Sequence, residues 1–316
     1  MKKSNEVIDH EEELKELKEL KIIDAHHHLW DLNKNYYPWL ANYDPNTFAG
    51  DYRPLMRNYY PEDYRNDSCG LNILATVHCE ADHDYTCEVK ETAWVHEQAK
   101  RAGFPNAVIA HIWFHKENSE EILKQHLEFP LVRGIRSKPV TASSPKLKNT
   151  VKGVSGSMQD DKWLKGFSLL SKYNLSWDLR VPYWHLDEAA EVAKAFPHTP
   201  IVLNHLGFPW DRSDEGLSVW RKGMQALADC KNVHVKVSEL CVRNQPWTIE
   251  SNMPVIKETI DMFGIERCMF ASNFPVASLK INYKTLVKNL LVILSDMTNE
   301  DREKFFWMNA KKFYRI

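Results

Sequence analysis

Residues 22–31 read IIDAHHHLWD, a short apolar, β-branched run that ends in three consecutive histidines. A strand alternates its side chains between two faces, so His26 and His28 point one way and His27 the other. Two imidazoles on one side of a strand end can close on a single divalent ion at Zn–N distances of about 2.0–2.1 Å, which adjacent residues do not readily provide. A plainer account also fits these residues, a solvated or strand-capping cluster at a turn.

Seven more runs of the same kind follow: ILATVHCEA from 73, NAVIAHIWF from 106, LVRGIRSKP from 131, LSWDLRVP from 175, PIVLNHLG from 200, VHVKVSEL from 233 and CMFASNFPV from 268. Most are separated by stretches of helical period, such as CEVKETAWVHEQAKRAG ending on Gly103, LDEAAEVAKAF stopping before Pro197, and PVIKETIDMFG ending on Gly264. Eightfold strand–helix alternation predicts an α/β fold, a (β/α)8 TIM barrel spanning 21–316 as one domain. The C-terminal TNEDREKFFWMNAKKFYRI, with Thr298 or Asn299 as cap, reads as a helix that closes the barrel. Residues 1–20, with Leu14, Leu17 and Leu20 three apart, read as a helical extension laid on the body.

A chain of 316 residues suits one such barrel, and 43% hydrophobic with 27% charged residues is ordinary globular composition. A formal charge of −2 gives no electropositive bias towards nucleic acid, so the expected partner is a small-molecule substrate. No apolar run reaches the eighteen or so residues that span a membrane, and the N-terminus lacks the apolar core of a signal peptide. Six scattered cysteines without a Cys-x-x-Cys read as reduced thiols, and the expected location is cytoplasmic. Self-association into a homo-oligomer stays open.

A barrel carries its chemistry at the C-terminal ends of its strands. There the sequence offers His26 and His28, then Glu80 with His83 beyond, His111 and His115, Arg136, Arg180 and His185, His205, Lys236 or Glu239, and Asn273. His205 stands where its strand gives way to Gly207 and Pro209, level with the first-strand pair, so three histidines are expected to surround one point. The aromatic segment from Leu32 to Pro61 has no periodicity, and as a long loop after the first strand it is expected over the barrel mouth; aromatic padding of the barrel flank is the alternative.

DAHHHLW, VRGIRS, LNHLGFP, VHVKVSEL, MFASNFPV and the terminal FFWMNAKKFYRI, in this order, resemble the amidohydrolase superfamily, specifically its amidohydrolase-related, lactonase-like TIM-barrel hydrolases. The resemblance runs from Ile22 to the C-terminus. It implies that His26, His28 and His205 hold a divalent metal, zinc by preference, or polarise a carbonyl. It also places an acid on the eighth strand, where this chain has Asn273. An amide is a neutral ligand and no useful base, so Asn273 weakens a metal site without abolishing it, because three histidines and a water can hold a catalytic zinc. Glu80 is the candidate for the missing carboxylate, as base or ligand; a rim carboxylate paired with Arg136 or Lys138 is the alternative.

Arg136 and Arg180 present planar forks suited to a carboxylate or a lactone oxygen, and Trp30, Tyr183, Trp184 and His185 supply aromatic wall and polar hook for a small oxygenated ring. The expected activity is hydrolysis of a sugar lactone or carboxylated lactone by a water polarised at His26, His28 and His205. The alternatives are non-oxidative decarboxylation of an aromatic acid and a retired barrel that binds a metabolite without turnover.

Overall fold

The computed structural model describes residues 15–47, 49–240 and 242–316. The eight runs form eight parallel strands: β1 (Lys21–His27), β2 (Asn72–Cys79), β3 (Ala107–Ala110), β4 (Val132–Ile135), β5 (Ser176–Leu179), β6 (Ile201–Leu203), β7 (Val233–Val237) and β8 (Cys268–Phe270). They pair in the order β1 to β8. Closure comes just past the strand ends, where the His28 N–H donates to the Phe274 carbonyl and the Asn273 N–H to the His26 carbonyl, each at 2.8 Å. That seam lays the first-strand histidines beside Asn273.

Strand alternation sorts the chain into two apolar layers. Ile23, Ala25, Val77, Cys79, Ile109, Val202 and Met269 fill the barrel interior, and Phe313 and Tyr314 of the C-terminal helix (Asn309–Tyr314) plug it from below. Outside, Trp177 and Leu179 of β5 meet Trp163 and Phe167 of the helix Asp161–Lys172. The helix Glu88–Ala102 ends on Gly103 at φ 83°, a left-handed cap that glycine takes without steric cost. Thr298 caps the last helical stretch, accepting from the Asp301 N–H at 3.1 Å.

A register shift in β1 falls between Asp24 and His27. Asp24 is buried and accepts from the Tyr64 and Tyr283 hydroxyls, each at 2.9 Å, and from the Ser272 backbone and side chain at 2.8 and 2.6 Å. These bonds tie β1 to the β8 end and set the level of the histidines.

The aromatic segment after β1 folds over the mouth. It is pinned by an antiparallel bridge between Trp30 and Tyr59 and by the Trp39 indole donating to the Ala81 carbonyl at 2.8 Å. Residues 15–19 are helical and Leu17 is fully buried; residues 1–14 of the expected N-terminal extension lie outside the described residues. The described cysteines are free thiols, and among the described residues no helix is long and apolar enough to cross a membrane.

Candidate active site

The structure brings His26, His28 and His205 together. The Nε2 atoms of His26 and His28 stand 3.2 Å apart, and the His26 and His205 ring centroids are 4.7 Å apart. His27 turns outward to Thr76 Oγ1 at 2.9 Å and to Tyr64, as the alternation requires. His28 Nδ1 donates to the Cys79 carbonyl at 2.7 Å, so its Nε2 carries the lone pair. His205 Nδ1 bonds Ser238 Oγ at 2.8 Å, which leaves its Nε2 for a guest. Asn273 Oδ1 lies 3.3 Å from His28 Nε2 while its Nδ2 donates to Glu239. His205, Glu239 and Asn273 adopt φ of 59°, 43° and 56°, so the ends of β6, β7 and β8 all hold left-handed backbone, where strain gathers at functional sites.

Burial, then Lys236, depresses His26; burial, then Arg136, depresses His28; burial, then Arg180, depresses His205, each well below the usual imidazole range. Neutral rings result. Burial also brings His27 and His78 down to about 3. The unfolded chain takes up these protons below about pH 6.5 and the folded chain only near 3, so stability falls as pH drops through that window. At one pH unit below the unfolded value the loss is about 1.4 kcal/mol for each such ring. Chemical denaturation at pH 7.0 and 5.5 measures it, and an equal midpoint at both would show these rings already exposed or protonated.

Above the histidines lies a cavity of about 330 Å³, with Arg136, Arg180, Asp82 and His205 on its walls and Trp39, Tyr52 and Phe208 around them. Arg180 stacks over Phe208, 5.2 Å from the ring centroid. Burial, then Arg136, lowers its guanidinium to about 10. Arg136 is clasped by Glu80, whose carboxylate and carbonyl both accept from the guanidinium. Lys138 reaches the same carboxylate at 3.3 Å, and the Asp82 N–H donates to its other oxygen at 2.8 Å. Burial alone would raise the Glu80 carboxyl, but Arg136 and Lys138 hold it below the usual carboxylate range. Both oxygens of Glu80 are committed, and the pairing with Arg136 and Lys138 is the arrangement the structure holds.

Four expected substrate contacts are placed elsewhere. His185 accepts from the Ala142 N–H at 2.9 Å and bonds Glu188 at 2.6 Å, and the Trp184 indole donates to the Ala142 carbonyl at 3.1 Å. Both side chains clamp the segment after β4, so neither is left to hook a ring. Tyr183 packs on Trp184 at 5.0 Å, away from the cavity lining. Trp30 donates to the Arg57 carbonyl at 2.6 Å and buttresses Trp39 edge-on, which makes Trp39 the wall. Of the rim histidines, His83 packs on Tyr37 and His111 on Tyr85 and Trp113.

Sequence reasoning passed over Asp178, Tyr314, Ser238, Trp39, Tyr52 and Phe208. Asp178 left a signal, an acid alternating with Trp177 and Leu179 inside an apolar run. The loop aromatics left none, because no periodicity orients them.

His26, His28 and Asn273 are spaced for one divalent ion. A tetrahedron with bonds of 2.0–2.1 Å has ligand–ligand edges of about 3.3 Å. The 3.2 Å between the His26 and His28 Nε2 atoms and the 3.3 Å from His28 Nε2 to Asn273 Oδ1 match that edge. The His205 ring stands beside this pair, its centroid 4.7 Å from that of His26.

The sequence pattern of the amidohydrolase family matches residues 23–316. The chain belongs to the amidohydrolase family. This amidohydrolase, a hydrolase by family, is 36% identical over 301 residues to the uncharacterized protein y4mH of Sinorhizobium fredii, covering 95% of this chain and all of that one. It is 24% identical over 266 residues to an L-fucono-1,5-lactonase of Burkholderia ambifaria, covering 81% of each chain. A solved amidohydrolase from Burkholderia multivorans with bound zinc superposes with a TM-score of 0.77 at 20% identity, over 93% of this chain and 99% of that one.

Proposed function

We propose that this amidohydrolase opens a small sugar-type lactone by hydrolysis. The observation that carries the reading is the stacking of two guanidiniums and an aromatic wall directly over three converging neutral imidazoles in one cavity of about 330 Å³. The similarity to an L-fucono-1,5-lactonase supports the substrate class.

Trp39, Tyr52 and Phe208 bound the ring and exclude bulk water, and Arg136 and Arg180 orient the lactone carbonyl oxygen and stabilise the charge that develops on it. The attacking water forms the new C–O bond. Neutral His205, oriented by Ser238, takes its proton and returns it to the ring oxygen as the ester bond breaks, so one hydroxy acid leaves. His26 and His28, with Asn273 Oδ1, would hold a divalent ion, zinc as in the solved relative, which would supply carbonyl polarisation and a more acidic water and leave His205 Nε2 free as the base.

Five- and six-membered aldonolactones with a pH indicator test this, in protein with and without added zinc. The expected result is acid release well above the spontaneous rate, falling by about a hundredfold or more in His205→Ala. Protein with an intact barrel that accelerates none of them in either condition would remove the proposal, and carbon dioxide from aromatic acids would replace it with decarboxylation.

A further inference from the structure

Beneath the histidine pair the barrel floor carries a cation of its own. Lys236, fully buried on β7, is ion-paired with the fully buried Asp178 of β5. Asp178 is held in turn by the Tyr314 hydroxyl at 3.2 and 3.3 Å, from the helix that plugs the barrel. The Lys236 ammonium faces His26 Nδ1 at 3.4 Å. Among the described residues, one group of three metal-type side chains brings its donor atoms within 4.8 Å of one another: His26, Cys79 and Asp178. The ammonium contacts two of the three, so the charge that a lower metal ion would bring is already supplied by the chain.

The protons of the pair follow from this contact. An ammonium has only donors, so the His26 Nδ1 beside it accepts, and a neutral His26 then carries its proton on Nε2. His28 carries its own on Nδ1, facing the Cys79 carbonyl. The 3.2 Å contact between the rings is therefore His26 Nε2–H donating to His28 Nε2. A divalent ion bound through both Nε2 atoms needs that proton moved to His26 Nδ1, where it would point at Lys236.

We infer that Lys236 is a positioning residue which holds His26 in its Nε2-protonated form and thereby weakens divalent-metal binding at the His26–His28 pair. The inference rests on the metal-holding part of the function proposed above, and both of its readouts are independent of turnover. His26 is the poorer of the two ligands, and the site takes an ion only by working against its own floor.

Zinc affinity, measured by competition with a chromophoric chelator, compares the wild type with Lys236→Met and Lys236→Arg. Lys236→Met is expected to bind zinc at least about tenfold tighter, since a like charge a few ångströms from the ion is removed. Lys236→Arg, which keeps the charge, stays close to the wild type. A Lys236→Met protein with wild-type circular dichroism and no gain in affinity overturns the inference. Because that variant leaves Asp178 unpaired, the wild type gives a second reading: nitrogen NMR of the metal-free, histidine-labelled protein, with His26 assigned through His26→Gln. A proton on His26 Nε2 is expected; a proton on Nδ1 overturns the inference whatever the variants do.

Discussion

Glu80→Gln is expected to lower the unfolding free energy by about 3–5 kcal/mol and to abolish most turnover. The carboxylate is buried and compensates Arg136 together with Lys138; Lys138 keeps its ion pair with Asp82, so the neutral amide leaves the buried Arg136 guanidinium without a charged partner. Arg136 keeps its bond to the residue-80 carbonyl but exchanges a charged acceptor for a neutral amide oxygen, so its fork is aimed less firmly at the cavity. KM should therefore rise along with the fall in kcat, whereas loss of a general base would depress kcat alone. Urea unfolding and lactone kinetics on the same preparation separate the two. A variant within 1 kcal/mol of the wild type would show that the ion pair adds little to folding.

Asn273→Asp should have the next largest effect, in opposite directions with and without metal. The Asn273 amide donates to Glu239 through Nδ2 and turns Oδ1 toward His28. A carboxylate there removes the donor and places two acids in contact, so the metal-free protein loses stability at neutral pH until one of them is protonated. The same carboxylate gives the His26–His28 pair an anionic partner, and zinc affinity should rise by about a hundredfold, near 2.7 kcal/mol. Melting temperatures in chelator and in zinc read both halves together: a lower one in chelator, a larger gain on adding zinc. Unchanged zinc affinity would place Asn273 outside the ligand set.

The histidine chemistry was legible because of where β1 ends. Period-two alternation settles which of three adjacent rings face inward, and it gives His26 and His28 to the interior and His27 to Thr76 and Tyr64 without any tertiary information. His205 was legible because Gly207 and Pro209 mark the end of its strand. Side chains beyond the strands followed no such rule. Trp184 and His185 look like a ring-binding pair in sequence, yet their hydrogen-bonding atoms are consumed by Ala142 and Glu188, a loop and a helix whose approach no local pattern specifies.

Taken alone, the sequence determined the eightfold strand–helix order, the barrel it closes into and the inward pair on β1. These depend on hydrophobic periodicity and on single residues at strand ends, which are local properties. Only the tertiary structure decided that Glu80 serves Arg136, that Trp39 rather than Trp30 walls the cavity, and that Lys236 sits beneath His26 on an Asp178–Tyr314 support. Each of those pairs groups far apart along the chain, and the charge or proton a buried side chain keeps depends on which distant partner the closed barrel sets against it.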